Sequence, residues 1–169
     1  MISVERVTVE NFQRFQGAIL WVERRSFPSP WILKSFEEEI KRPVSQMWVL
    51  LVDGELGGYI CFWVVGGEVH LMNVAVHPKR RRRGLGGRLL EKMIEVGETE
   101  GAEMAWLEVR PSNVVARALY KKAGFSEVGL RPNYYRETNE DAIIMSRSLV
   151  AESTGYSSPG ISQCAIQEQ

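Results

Sequence analysis

Met72-Asn73-Val74-Ala75-Val76-His77-Pro78, continued by Lys79-Arg80-Arg81-Arg82-Arg83-Gly84-Leu85-Gly86-Gly87, is where the architecture of this chain is decided. Val69–Val76 reads as a strand, and Pro78 ends it because proline has no amide proton to offer a ladder. Beyond the loop, Leu85, Leu89, Leu90, Met93, Ile94 and Val96 form one apolar stripe of a helix, which Gly101 stops. The glycines between strand and helix let backbone N–H groups turn inward and approach a ligand closely. The helix start adds unpaired donors and a partial positive charge. Together these suit a phosphate or a pyrophosphate. The loop is not a P-loop, because no Lys-Ser/Thr follows the glycines, and not the dinucleotide fingerprint, which needs three glycines at G-x-G-x-x-G in a parallel unit. Taken alone, the segment also admits a solvated basic turn. The five cations at 79–83 further admit a nucleic-acid patch, although neither stacked aromatics nor a nucleic-acid module accompanies them.

Outward from the loop, the period of the apolar residues assigns the rest. Met47–Val52 and Gly58–Val65 are strands joined by Asp53-Gly54, a hairpin signal, and Gly66-Gly67 turns the chain into the strand at Val69–Val76. Short turns cannot join parallel neighbours, so this meander is antiparallel. On the N-terminal side, Phe12, Phe15, Ile19 and Val22 place a helix over 8–25 with Thr8 as its cap, and a second helix covers 33–41. Between them, Pro28 and Pro30 make a restricted loop. On the C-terminal side, Met104–Arg110 is a strand, Asn113 caps a helix to Ala123, and Phe125–Leu130 and Ala142–Leu149 are closing strands. Residues 131–141, with Tyr134 and Tyr135, read as a polar connection. This order predicts an α+β (mixed α/β) fold rather than a doubly wound parallel sheet.

Length and composition agree. At about 150 residues per domain, a chain of 169 residues is one domain. We place it over 1–150, with a Ser-, Gly- and Gln-rich mobile tail over 151–169. A hydrophobic fraction of 44% and a charged fraction of 25% exclude general disorder. Lys+Arg and Asp+Glu both number 21, so no whole-protein charge draws the chain to nucleic acid or to an anionic membrane. Cys61 and Cys164 cannot build a disulfide framework or a zinc cluster, and His70 and His77 lack ligand spacing, so no metal is expected. No basic-then-apolar leader is seen at the N-terminus, and the apolar run Gly57–Gly67 is too short for a membrane span, which predicts a cytoplasmic protein.

Four segments occur in a telling order. They are Met72 to Pro78, then Arg81-x-x-Gly84-x-Gly86, then Leu107-Glu108-Val109-Arg110-x-Ser112-Asn113, then Ala118-Leu119-Tyr120-x-x-x-Gly124-Phe125. This resembles the GNAT superfamily of acetyl-coenzyme A-dependent N-acetyltransferases, over roughly 1–150. Phe27-Pro28-x-Pro30-Trp31, Trp106 to Arg110, Asn133-Tyr134-Tyr135 and Glu140 to Met145 further resemble the RimI type, which acetylates the N-terminal alanine of a small-subunit ribosomal protein. The chain departs from that type by an extra residue before Trp31, by Ile32 where a helix-capping Ser is usual, and by a longer tail.

The resemblance implies a central, mostly antiparallel sheet splayed at the cofactor site and flanked by about four helices. It implies that acetyl-coenzyme A fits the splay as co-substrate. Val74, Ala75 and Val76 would line it, with Val74 and Val76 offering backbone groups. Arg82, Arg83, Gly84, Leu85, Gly86 and Gly87 would wrap the pyrophosphate, and Asn113 would touch the cofactor arm. Glu108 resembles the general base and Tyr120 the general acid, while Phe27, Trp31, Tyr134 and Tyr135 would flank a peptide N-terminus. Strand alternation puts Met104, Trp106, Glu108 and Arg110 on one face, where partial desolvation would raise the Glu108 pKa. Glu37, Glu38 and Glu39 read as a solvated helix face. Two alternatives stay open: transfer to a small-molecule amine or a lysine, and a non-catalytic acyl-coenzyme A-binding module.

Overall fold

The computed structural model describes residues 1–150. The tail assigned to 151–169, and Cys164 within it, lie outside the described residues. In chain order the elements are β1 (Ile2–Val7), α1 (Phe12–Ser26), α2 (Leu33–Lys41), β2 (Ser45–Val52), β3 (Glu55–Val65), β4 (Glu68–Val76), α3 (Leu85–Thr99), β5 (Met104–Val109), α4 (Val114–Lys122), β6 (Ser126–Tyr135) and β7 (Glu140–Ser148). The strands form one seven-stranded sheet in the order β1-β2-β3-β4-β5-β7-β6. Every pairing is antiparallel except β4 with β5. The mixed, mostly antiparallel sheet expected from the sequence is therefore present.

Helices cover both faces. Ile60, Phe62, Val69, Leu107 and Met145 pack with Leu89, Leu90 and Met93 of α3 and Tyr120 of α4. Met47, Val49, Tyr59 and Cys61 pack with Phe15 and Ile19 of α1 and Phe36 of α2. Neighbouring strand residues serve opposite cores, which is the two-residue period at work. Asp53-Gly54 (φ 52° and 83°) and Gly66-Gly67 (φ 59° and 76°) both sit in the left-handed region that two-residue hairpins demand. No helix among the described residues is long and apolar enough to cross a membrane.

Four local expectations need correction. The chain opens with a strand, β1, which pairs along the outer edge of β2. Helix α1 starts at Phe12 with Asn11 at its cap position, not at Thr8. The Asn11 side chain turns back instead, accepting from Thr8 N at 2.8 Å and donating to the Arg6 carbonyl at 2.9 Å. Strand β6 runs on to Tyr135, so the tyrosine pair stands on a strand rather than in a loop. Glu39 is buried, not solvated: it accepts from Trp63 Nε1 at 2.8 Å and lies 3.4 Å from Arg42 Nε.

The site is positioned by one irregularity. Opposite β4, Cys61 pairs with Asn73 and Phe62 with Leu71, so Met72 is an extra residue in the ladder. On its other side, β4 pairs with β5 only at Glu68–Met104, Val69–Ala105 and His70–Trp106. Past His70 the two strands part, while each keeps its outer partner.

Helix α3 lies close over the strands beneath this fork. A Cβ on Gly97 would fall 2.4 Å from Val69 Cγ2. Helix propensity alone would make Gly97→Ala stabilising by about 1 kcal/mol. We expect the overlap to reverse the sign, with a net loss of about 1–3 kcal/mol in urea unfolding. An unchanged or raised midpoint would contradict this packing.

Candidate active site

Glu108 stands on β5 just past the last parallel pair, on the face away from α3. Its side chain is 15% exposed. Burial raises its pKa, against the opposing charges of Arg131 and His70. Arg131 Nε lies 3.5 Å from Glu108 Oε1, an ion pair across the face, yet Nε itself makes no hydrogen bond. His70 Nε2 meets Glu68 Oε2 at 2.8 Å. On the same face of β5, Trp106 Nε1 is a buried donor with no partner among the described residues.

The basic loop follows the end of β4 and leads into α3. Gly84 (φ 75°) is the cap residue of α3, and Arg82 also has positive φ at 62°. Arg81 is exposed but already engaged. It donates from Nε to the Val76 carbonyl at 3.1 Å and from Nη2 to Ser26 Oγ at 3.0 Å, tying the loop to the ends of β4 and α1. Two of the glycines differ in what requires them. A Cβ at Gly86 would meet Leu119 Cδ2 at 2.9 Å, so this glycine lets α4 pack close and a larger residue would displace the Leu119 side chain. A Cβ at Gly87 would have nothing within 4 Å, which leaves room for a ligand against the helix start.

A family model described as the acetyltransferase (GNAT) family matches residues 17–125. The chain belongs to the GNAT family. Accordingly it is an N-acetyltransferase that takes its acetyl group from acetyl-coenzyme A. The ribosomal protein bS18-alanine N-acetyltransferase of Escherichia coli is 41% identical over 128 residues, covering 74% of this chain and 85% of that protein. An N-alpha-acetyltransferase of Sulfurisphaera tokodaii is 35% identical over 144 residues, covering 78% and 86%. The crystal structure of the Escherichia coli ribosomal-protein-alanine enzyme superposes with a TM-score of 0.79 at 34% identity, covering 92% of this chain and 99% of that one.

The GNAT fold distributes the sequence-predicted residues as follows. Val74 and Val76 lie half-buried along the free edge of β4, and Ala75 is buried in the core under α1. Arg82, Arg83 and Gly84 are exposed, whereas Leu85 and Gly86 are buried at the start of α3. Asn113 is the cap residue of α4, with its Oδ1 accepting from Ala116 N at 3.2 Å. Tyr120 is buried, 6.3 Å from Phe125 in an edge-on contact, and burial raises its pKa further above that of a free phenol. Tyr134 and Tyr135 touch edge to face at 5.0 Å, with the Arg110 guanidinium 4.2 Å over Tyr135. Burial raises both phenols, and the Glu108 charge adds to it, so the tyrosine pair and Glu108 share one neighbourhood. Phe27 and Trp31 are only half exposed and pack on the α1/α2 core, with Trp31 5.3 Å from Phe36.

Sequence reasoning passed over Arg131, Glu23 and Asn73. Arg131 had a weak signal, being two residues before Asn133-Tyr134-Tyr135. Cys61 is fully buried beside Ser45 Oγ, and its thiol is pushed up to about 12, which keeps it protonated. Among the described residues no group of three or more His, Cys, Asp or Glu side chains is placed to hold a metal.

The Arg131 charge favours the ionised form of Glu108, so removing it must move the Glu108 pKa further upward. Titrating the Glu108 carboxyl carbon by NMR in wild type and Arg131→Gln measures this directly. A downward or absent shift would mean that the pair is not formed in solution.

Proposed function

We propose that this GNAT enzyme acetylates the α-amine of a protein N-terminus, specifically the N-terminal alanine of a small-subunit ribosomal protein. The observation that carries it is Glu108, a mostly buried carboxylate with a raised pKa at the point where β4 and β5 part. The identity to the bS18-alanine enzyme over most of both chains supports the acceptor. Chemistry supports it as well. An α-amine has a pKa of about 7.7–8.0 against about 10.4 for a lysine, so a carboxylate base can deprotonate it far more readily.

The residues present fit acetyl-coenzyme A. The free edge of β4 at Val74 and Val76 suits an extended amide arm, which hydrogen-bonds as an added strand would. The space beside Gly84 and Gly87 is open, and the first-turn N–H groups of a helix lack intrahelical partners, so the segment Arg82 to Gly87 suits a pyrophosphate. Asn113 keeps its amide nitrogen for the arm after its oxygen has capped α4. When bound, the co-substrate supplies an acetyl thioester.

The amine nitrogen forms its bond to the acetyl carbon as the carbon–sulfur bond breaks. Glu108 takes the proton that the amine loses, directly or through one water. The Tyr120 hydroxyl gives a proton to the departing thiolate. Its raised pKa keeps it protonated at neutral pH and makes transfer to a thiolate, whose own pKa is lower, more uphill, so Tyr120 contributes through position. Phe27, Trp31, Tyr134 and Tyr135 flank the acceptor peptide. No acyl-enzyme is involved, which agrees with a buried, protonated Cys61.

The test uses two peptides, one beginning Ala-Arg with a free N-terminus and one blocked with an internal lysine. We expect transfer to the first alone. Glu108→Gln should lower kcat by about 10²–10⁴. Below the Glu108 pKa the wild-type pH profile should steepen, because the base is then protonated, and Glu108→Gln should abolish the steepening. Transfer only to the lysine peptide, or to small amines alone, would overturn the acceptor. Bound acetyl-coenzyme A without any transfer would point to a binding module.

A further inference from the structure

We propose that Glu23 is a positioning residue for the acceptor: a buried carboxylate that clamps the loop Phe27–Trp31 onto the bulge of β4. The clamp rests on the assignment of that loop to the peptide. Glu23 lies in the last turns of α1, is 1% exposed, and takes no part in the chemistry described above. Its Oε1 accepts from Trp31 N at 2.9 Å. Its Oε2 accepts from Asn73 Nδ2 at 2.9 Å and from the Tyr59 hydroxyl. All these partners donate to it. Among the described residues no cation pairs with it, so these hydrogen bonds alone offset its desolvation.

The loop leaves few other ways to hold it. Pro28 and Pro30 have no N–H to donate. Phe27 N, at the loop's entry, donates to the Glu23 backbone carbonyl at 3.3 Å. Trp31 N, at its exit, donates to the Glu23 carboxylate. One residue thus holds both ends. The same carboxylate holds Asn73, which follows the extra residue Met72 and precedes Val74 on the free edge of β4. Glu23 therefore sets the distance between the segment that would meet the acceptor and the strand that would hold the acetyl arm.

Glutamine at position 23 would place an N–H₂ against at least one of these donors. For Glu23→Gln we expect the KM for the Ala-Arg peptide to rise about tenfold, with the KM for acetyl-coenzyme A unchanged and faster hydrogen exchange at the Trp31 amide. Tyr59→Phe, which removes one donor and leaves the charge, should raise the peptide KM less and in the same direction. It also keeps the idea testable should Glu23→Gln fail to fold. A folded Glu23→Gln enzyme with unchanged peptide KM would overturn the proposal. So would parallel losses in both KM values and thermal stability, which is what a merely structural residue gives. If the wild-type chain acetylates no α-amine, the acceptor assignment falls, and Trp31 exchange alone decides the clamp: acceleration upholds it, and no change removes it.

Discussion

A central strand with one unpaired edge is the constraint on which this molecule is built. Buried backbone N–H and C=O groups need partners, and β4 and β5 provide them for each other at only three residue pairs before separating. Everything nearby compensates. The four strands β1 to β4 pair among themselves on one side, and β5, β7 and β6 on the other. On one face the core under α3 joins residues of both halves, and on the other α1 and α2 pack on β1 to β4 alone. What remains without a strand partner is a short length of β4 edge, where the proposed acetyl-coenzyme A arm would add its amides.

The fork also sets the electrostatics. Past the last parallel pair, Glu108 keeps Ile144 of β7 as its partner but has no strand on the β4 side, only the side chains that reach across the face. Burial pushes its proton affinity up, and Arg131 and His70 hold it down. A base for an amine needs this balance, because a carboxylate too weak as an acceptor leaves the amine protonated and one too strong is itself protonated. Tyr120 sits in the opposite regime: it is buried against Phe125 and responds to desolvation alone.

Local chemistry made much of this legible. Asp53-Gly54 and Gly66-Gly67 specify hairpins by backbone conformation, and the spacing of Phe12, Phe15, Ile19 and Val22 specifies one buried helix face. The four-part order of motifs gave the family, and alternation along β5 put Glu108 and Trp106 on one face. What escaped depends on tertiary pairing. β1 is an edge strand in which only Val7 is buried, so its alternation carries little signal. β6 is exposed along nearly its whole length and continues through Pro132 to Tyr135, composition that imitates a loop. Glu39 and Glu23 look solvated because their partners, Trp63, Tyr59 and Asn73, arrive from strands remote in sequence. Thr8 and Asn11 are both cap-type residues, and only the exit path of β1 selects between them.

Arg81 has a consequence for how a ligand meets the loop. Its guanidinium is already committed to the Val76 carbonyl and Ser26, so the turn from Arg82 to Gly84 is shaped before any anion arrives. The conformational entropy of that segment is lost when the chain folds and not when the ligand binds. A pyrophosphate bound at this turn, as proposed, would meet a backbone already set by the fold, and its arrival would await no rearrangement there.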